Sequence, residues 1–220
     1  MHTRQFKSNL YKELATVTKS LSNPHRLEIL DLLAQGSFPV EYIAMHTQMP
    51  IANASQHLQV LKNSGLVTTE RDGKYIYYRM QNEQVLETWL SLRMLAFSQN
   101  EEINQLLNDY RLRKNQLYVI KTDELLEKMN NEDVILLDVR PKEEYEAGHI
   151  ENASSKPFKN LNETLSDLPV GTDIVAYCRG PLCLMADEAV ALLRSKGYTA
   201  YRLEKGYSDW LAEKRPVSAS

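Results

Sequence analysis

Cysteine is scarce in this chain: only Cys178 and Cys183 occur among 220 residues, and both lie in the stretch CRGPLC. Two cysteines are too few for the disulfide framework of a small secreted domain. A zinc site needs four ligands, and His149 is the only histidine of the C-terminal half, so no metal site is expected there. Ordinary buried packing and a reactive thiol with a second thiol beside it both remain open.

Long apolar runs are also missing. No stretch approaches the roughly 20 residues that cross a bilayer. The N-terminus MHTRQFKSNLYKEL lacks the apolar segment of a signal peptide. We therefore expect a cytoplasmic protein without a membrane segment. The chain has no internal repeats, and its 43% hydrophobic and 25% charged residues are typical of globular domains.

Charge is distributed unevenly, although the net charge is only -3. Residues 1–79 contain nine lysines and arginines against six acidic residues, which leaves this segment at +3 and the remainder at -6. Mixed solvated surfaces give similar counts, so this asymmetry alone does not indicate nucleic-acid binding.

The first 80 residues carry the pattern of several short helices followed by a hairpin. Apolar spacing predicts helices over residues 9–22, 24–34, 40–47 and 50–63. Asn23 is a predicted N-cap with Pro24 in the first helical turn, and Gly65 is a predicted helix stop. Alternating residues on both sides of Asp72-Gly73 predict a β-hairpin. This order is that of a winged helix-turn-helix.

The segment NASQHLQVLKNSGLVTTERDGKYIYYRM resembles the ArsR-type winged-helix repressors. The resemblance rests on the spacing of Ser55, His57, Leu58, Leu61, Gly65, Leu66, Val67, Arg71, Gly73, Lys74 and Tyr78. It implies a DNA-binding and dimerisation domain over residues 1–112 whose partner is a double-stranded DNA operator. A recognition helix presents polar side chains to base edges, and cations on the wing contact phosphates. The candidate DNA contacts are Asn53, Ser55, Gln56, His57, Gln59, Lys62, Arg71 and Lys74.

A long helix is predicted from Asn82 to about residue 114, and its apolar side chains exceed what so small a domain can cover. We therefore expect a homodimer, with a shared seam that includes Leu10, Leu14, Leu92 and Leu95. ArsR relatives often bind metals through cysteines before the recognition helix or through acidic and histidine ligands on the last helix. The first position here lacks cysteine and the second lacks histidine, so neither a metal nor a cofactor is expected.

The second half alternates predicted strands and helices, which indicates an α/β domain with a parallel sheet. Strands are predicted near 118–120, 134–139, 174–178 and 199–203, with helices near 123–129, 141–147, 160–166, 182–195 and 207–213. The stretch resembles a rhodanese-like sulfurtransferase domain over residues 117–214, through Asp138-Val139-Arg140, Glu144, Gly148-His149-Ile150, Cys178, Gly206 and Trp210. The fold class is therefore two domains: a mainly α winged helix-turn-helix followed by an α/β rhodanese-like domain.

The resemblance implies that Cys178 accepts sulfane sulfur as a persulfide. Cys178 follows a predicted buried strand and precedes a loop and helix, whose amides form an anion-binding nest expected to lower the pKa of the thiol. The candidate cradle consists of Arg179, Gly180, Leu182 and Cys183. Expected donors are a polysulfide, a persulfide or thiosulfate.

The loop departs from the common rhodanese pattern at its sixth position, where Cys183 replaces a frequent arginine. This loss weakens the case for thiosulfate and argues against phosphatases and arsenate reductases, which need that arginine. Cys183 is either a second, resolving thiol or a buried packing residue. Asp138, Arg140, Glu144 and His149 are interpreted as structural.

Three hypotheses follow for function. The first is a DNA-binding regulator that captures sulfane sulfur on Cys178 and links reactive sulfur or thiol stress to repression. The second is a sulfurtransferase enzyme whose DNA binding is independent of sulfur state. The third is an arsenic- or metal-responsive regulator with an accessory rhodanese domain.

Overall fold

The computed structural model describes residues 3–113, 118–131, 133–169 and 171–219. The chain divides into two compact units, Met1–Trp89 and Leu90–Ser220, which are described separately below. The predicted boundary between the two domains, at residues 112–117, falls largely on residues 114–117, outside the described residues, and stays a prediction.

The first unit is a helical domain with a small antiparallel sheet. Asn23 caps the second helix by accepting a hydrogen bond from the Arg26 amide, as predicted. The hairpin turns at Gly73, whose φ of 57° lies in the region that favours glycine. The sheet order is β1-β3-β2. The elements are α1 (Thr3–Leu21), α2 (Pro24–Leu33), β1 (Phe38–Pro39), α3 (Val40–His46), α4 (Ile51–Asn63), β2 (Val67–Asp72), β3 (Tyr75–Met80) and the start of α5 (Glu83–Gln99).

The core of this unit lies between α2, α3, α4 and the beginning of α5. Trp89 of α5 is buried, and its indole Nε1 donates a hydrogen bond to Asp31 of α2 at 3.2 Å. The most buried side chains are Ile29, Leu30, Leu32, Ile43, Ala54, Leu58, Leu61 and Val67. Helix α1, by contrast, exposes most of its length.

The second unit starts with the rest of α5 and continues into a parallel α/β domain. Its further elements are α6 (Glu101–Arg113), β4 (Val119–Ile120), α7 (Thr122–Asn130), β5 (Val134–Asp138), α8 (Lys142–Ala147), β6 (His149–Ile150), β7 (Ser154–Ser155), β8 (Asp173–Tyr177), α9 (Met185–Ser195), β9 (Ala200–Leu203), α10 (Tyr207–Ala212) and β10 (Val217–Ser218).

A five-stranded sheet in the order β4-β9-β8-β5-β7 forms the centre of this unit, and the described strands within it all pair in parallel. Buried apolar clusters cover both of its faces, which explains the short continuous apolar runs VILLDV and IVAYC. Strands β6 and β10 form a separate antiparallel pair. The predicted parallel α/β domain is therefore confirmed.

Two predicted helices differ from the structure. The long helix from Asn82 is interrupted at Asn100, whose side-chain oxygen accepts a hydrogen bond from the Glu102 amide at 3.0 Å and so caps a new helix, α6. The predicted helix 160–166 is instead a pair of 3₁₀ segments, Phe158–Glu163 and Leu165–Asp167, which bury Leu161 and Leu165. Among the described helices, none combines the length and the apolar character that a membrane crossing requires.

Candidate functional site

The segment Cys178–Leu184, here called the cysteine loop, leaves the carboxyl end of the central strand β8 and leads into α9. This end of a parallel sheet is where loops and helix N-termini most often build a binding site. The Cys178 carbonyl accepts a hydrogen bond from the Tyr207 amide at 2.9 Å, which fixes the start of the loop against α10. Helix α9 begins at Met185, three residues later than predicted, so the loop is longer than expected.

The Cys178 thiol is enclosed, with only 3% of the residue exposed. Its Sγ donates toward the Cys183 carbonyl at 3.5 Å. Burial raises the pKa of Cys178 well above its ordinary value, helped by the neighbouring Cys183 thiol, and amide hydrogen bonds from Ala186 and Gly180 oppose the shift. The expected nest of amides is present, but the prediction that it lowers the pKa of Cys178 is wrong because desolvation outweighs it.

The Cys183 thiol is the more accessible of the two and lies against Cys178. A hydrogen bond from the Cys178 thiol lowers the pKa of Cys183; the positive charge of Arg179 and the amides of Met185 and Arg179 act in the same direction. Cys183 is therefore the more acidic thiol of the pair and ionises before Cys178. Such a pair supplies a nucleophile and, next to it, a group able to take up or return its proton.

Arg179 forms an ion pair with Glu144 that the sequence did not predict. Its Nε donates to both Glu144 oxygens, at 3.1 and 3.0 Å, and its Nη2 donates to Oε1 at 2.5 Å. Glu144 is completely buried, so the guanidinium is drawn toward α8. Of the other predicted cradle residues, Gly180 directs its amide to Cys178, while Leu182 is 42% exposed on the outer side of the loop.

The inner side of the cysteine loop packs against the start of α10, where the backbones of Gly180 and Gly206 lie too close for a side chain at position 206. A Cβ at Gly206 would overlap the Gly180 backbone, so position 206 needs glycine for this close approach. The Ser208 hydroxyl donates to the Arg179 carbonyl at 2.9 Å. These contacts hold the loop backbone in one conformation, and the motif residue Gly206 was the only signal of them in the sequence.

The acidic and basic residues of the rhodanese motif brace the fold. Asp138 and Arg140 are both fully buried, and Arg140 Nη2 reaches Asp138 Oδ2 at 2.5 Å and the Gly148 carbonyl at 2.7 Å. The His149 ring stacks on Tyr145 with centroids 3.7 Å apart. These contacts fit the structural roles expected of them.

The predicted DNA-contacting side chains share the outer face of α4 and the hairpin. Ala54, Leu58 and Leu61 turn into the core, which leaves the opposite face of α4 free. His57 is half-buried, 5.4 Å from the His25 ring, while the other candidates are exposed: Asn53, Ser55, Gln56, Gln59, Lys62, Arg71 and Lys74.

Two of the exposed candidates already form hydrogen bonds within the protein. The Lys62 ammonium donates to the Thr69 hydroxyl at 2.7 Å, and Arg71 Nε donates to the Gly73 carbonyl at 3.1 Å. Both contacts are with groups at the surface, so DNA phosphates can replace them. Within the described ranges, no group of three or more histidine, cysteine or acidic side chains is placed to hold a metal ion.

An exposed polar recognition helix with a cationic wing, followed in the same chain by a parallel sheet with a cysteine at the end of its central strand, defines a class: a winged-helix regulator joined to a rhodanese-like domain. Family models agree. Residues 23–69 match "Bacterial regulatory protein, arsR family", and residues 121–213 match "Rhodanese-like domain". HTH-type transcriptional regulator Rv0324 of Mycobacterium tuberculosis is 40% identical over 211 residues, which are 96% of this chain and 92% of that protein. The chain belongs to the ArsR family of transcriptional regulators, in the form that carries a C-terminal rhodanese-like domain.

Other similarities cover one half only. The arsenical resistance operon repressor of Staphylococcus xylosus is 41% identical over 73 residues, 33% of this chain and 70% of that protein. The homodimeric winged helix-turn-helix domain of Mb0332 from Mycobacterium bovis is 43% identical, with a TM-score of 0.42, over 44% of this chain and 89% of that one. A rhodanese-related protein from Thermoplasma volcanium is 25% identical, with a TM-score of 0.43, over 47% of this chain and 99% of that one.

Proposed function

We propose that this regulator captures sulfane sulfur from a polysulfide or persulfide on Cys178, and that the sulfur state of the cysteine loop controls occupancy of its DNA operator. The observation that carries the proposal is the enclosed Cys178 thiol at the carboxyl end of β8, with its Sγ 3.5 Å from the Cys183 carbonyl and with loop and helix amides beside it. Amides in this arrangement stabilise a sulfur anion.

The chemistry follows from the shared proton. The Cys183 thiolate takes the proton from Cys178 as the Cys178 sulfur attacks the terminal sulfur of the donor. The donor S–S bond breaks, its electron pair leaves with the shorter polysulfide or thiolate, and Cys178 becomes a persulfide. Cys183 then passes that proton to the departing thiolate or polysulfide anion, and its thiolate attacks the inner sulfur, Cys178 Sγ, which forms a Cys178–Cys183 disulfide and releases hydrosulfide.

Features of the loop support each step. The thiols are neighbours, so the second attack requires only a local change. The loop lacks the arginine that would favour a dianion, so polysulfide and persulfide are better donors than thiosulfate. Arg179 does not compensate for that arginine, because Glu144 holds its guanidinium.

The DNA-binding form in this proposal is a homodimer on a double-stranded operator. Helix α1 exposes an apolar stripe formed by Phe6, Leu10, Leu14 and Val17, and α5 exposes Met94 and Leu95. Apolar faces of this extent on helices favour a second copy as their cover. Dimerisation also places two recognition helices for two half-sites.

A mobility shift with operator DNA, run with and without polysulfide, tests the proposal when paired with intact-protein mass spectrometry. We expect the wild type to gain sulfur and change its DNA affinity, and we expect Cys178→Ser to do neither. A Cys183→Ser variant that gains sulfur and still responds identifies the persulfide as the signal; one that gains sulfur without responding identifies the disulfide.

Two outcomes favour the other hypotheses. If the wild type gains sulfur while DNA affinity stays constant, the protein is a sulfurtransferase with independent DNA binding. If polysulfide has no effect but arsenite releases the DNA, it is an arsenic-responsive regulator, an outcome in keeping with its similarity over 73 residues to a Staphylococcus xylosus protein named arsenical resistance operon repressor.

A further inference from the structure

Two arginines from the helical part of the second unit contact the cysteine loop. The first is Arg93 of α5, which is 4% exposed and forms an ion pair with Asp209 of α10. A Cβ at Gly180 would lie only 2.9 Å from Arg93 Nη1, so the guanidinium lies directly on the loop backbone.

Arg111 of α6 is the second arginine, and it makes a bridge. Its Nη2 donates to the Pro181 carbonyl of the loop at 3.1 Å, and its Nε donates to Asp187 of α9 at 3.3 Å. Asp187 is 1% exposed and is shared with Arg202, whose Nε lies 3.1 Å from the same oxygen. Next to Arg111, the Tyr110 hydroxyl donates to Glu188, and this hydrogen bond raises the pKa of Tyr110 to about 12.

These contacts lie on the part of the loop that sulfur chemistry must displace. Cys178 is almost fully enclosed, and packed interiors have few voids that accept another atom. A persulfide adds a sulfur atom at that position, and a Cys178–Cys183 disulfide draws the two ends of the loop together. Either product moves the backbone at Gly180 and Pro181, which is the backbone that the two arginines contact.

Space for such a movement exists on the side of Arg111. A cavity of about 500 Å³ is lined there by Leu107, Arg111, Pro181 and Arg202, among others. The inner side is closed, since Gly206 already touches Gly180. The loop is therefore free to move outward, against Arg111, and not inward.

Helix α5 carries Arg93 and begins within the DNA-binding unit. It runs without a break from Glu83 to Gln99, carrying Leu86 and Trp89, both buried, one turn and more before Arg93. Arg93 thus lies on the same helix as two side chains of the core of the winged-helix unit, and a helix of this kind is able to carry coupling between sites.

We propose that Arg93 and Arg111 are the residues that report the sulfur state of the cysteine loop to α5 and α6, and through α5 to the recognition helix. This inference rests on the proposed function: it names the route by which that function is regulated. In the unloaded protein both arginines bind the loop and its neighbours; in the loaded protein the loop releases at least one of them.

The test compares Arg93→Gln, Arg111→Gln and Arg111→Lys with the control Arg215→Gln. Arg215 is an arginine of the same unit that pairs with Glu213, and no contact to the cysteine loop is described for it. For each variant we measure the melting temperature, the number of sulfur atoms gained with polysulfide, and DNA affinity before and after loading. The ratio of the two affinities is the coupling.

We expect the control to keep the wild-type coupling. Arg93→Gln and Arg111→Gln load sulfur as the wild type does, but their coupling falls to within about twofold of one. Arg111→Lys keeps the charge and loses the bridge, because one ammonium cannot serve Pro181 and Asp187 in the geometry of a guanidinium, so its coupling is intermediate. If Arg93→Gln does not fold, Arg111→Gln decides the matter, since Arg111 is the more exposed of the two.

Variants that load sulfur and keep full coupling would overturn the inference. A variant that loses coupling only because it no longer gains sulfur would also overturn it. That result would show that the arginines only support the structure of the loop. If the wild type itself loads sulfur without a change in DNA affinity, the proposed function fails, and this inference fails with it.

Discussion

The two thiols show how much a side chain's ionisation depends on its exact surroundings. The position at the end of β8 predicts a stabilised thiolate at Cys178, and amides of Gly180 and Ala186 are directed at it. Burial nevertheless raises the pKa of Cys178, whereas the pKa of Cys183 is lowered by its hydrogen bond with Cys178 and by the charge of Arg179. The thiol that accepts sulfur in our proposal is therefore activated by its neighbour.

Alkylation with iodoacetamide tests this order. The pKa of Cys183 is lowered, so its ionised fraction at neutral pH exceeds that of a free cysteine, while the raised pKa of Cys178 keeps it protonated. Peptide mapping should find Cys183 labelled first. In Cys178→Ala the hydrogen bond to Cys183 is lost, so the pKa of Cys183 rises and the midpoint of its labelling rate moves to higher pH.

Cys183→Ala is the matched control, in which the remaining thiol is buried and should react slowly. Faster labelling of Cys178 than of Cys183 in the wild type would contradict the proposed order.

Among the elements, the wing offers a direct test of DNA contact. Arg71 and Lys74 are exposed on the hairpin, and each phosphate that a cation neutralises adds about one unit to the slope of affinity against salt concentration on logarithmic axes. Arg71→Ala and Lys74→Ala should each reduce that slope by about one unit. Lys142, an exposed lysine of α8 in the second unit, provides the control, since Lys142→Ala should leave the slope unchanged. An unaltered slope in both wing variants would remove the wing from the DNA interface.

Helix α1 provides a second prediction at this scale. Its exposed stripe includes Leu10 and Leu14, which are 50% and 62% exposed. A double substitution, Leu10→Glu with Leu14→Glu, should produce monomers in sedimentation experiments and weaken operator binding, because charges do not pack in an apolar seam. Val217→Glu, at an exposed position on β10, should remain dimeric. A wild-type monomer at micromolar concentrations would rule out the seam.

An element could be predicted from the sequence when the residues that determine it are neighbours in the chain. Asn23-Pro24 and Asp72-Gly73 determine a helix start and a turn within a few residues, and both predictions are confirmed. The break at Asn100 is also a local capping contact, but no glycine or proline signals it. Leu92, predicted to lie in the dimer seam, is half-buried, whereas Leu95 is exposed.

Across the whole molecule, motif order was sufficient to predict two domains, their fold classes and the placement of Cys178. It could not predict the arginines that contact the cysteine loop, because Arg93 lies more than 80 residues before the loop in the chain. One signal was available: a lone arginine inside the apolar run LSLRML needs a buried partner. The identity of that partner, Asp209, emerges only from the tertiary fold.

Thermodynamic linkage gives a last prediction for the molecule as a whole. If sulfur loading changes operator affinity by some factor, operator DNA must change the equilibrium of sulfur loading by the same factor. A tenfold effect corresponds to about 1.4 kcal/mol of coupling. We therefore expect the ratio of polysulfide to hydrosulfide at half-loading to shift on adding saturating operator DNA, by the factor found in the mobility shift. An unrelated DNA sequence at the same salt concentration should produce a smaller shift. The contrary result would be a protein whose DNA affinity responds to polysulfide but whose loading curves are the same with and without the operator. The response would then not be an equilibrium property of the loaded loop. It would have to come from an irreversible modification elsewhere in the chain.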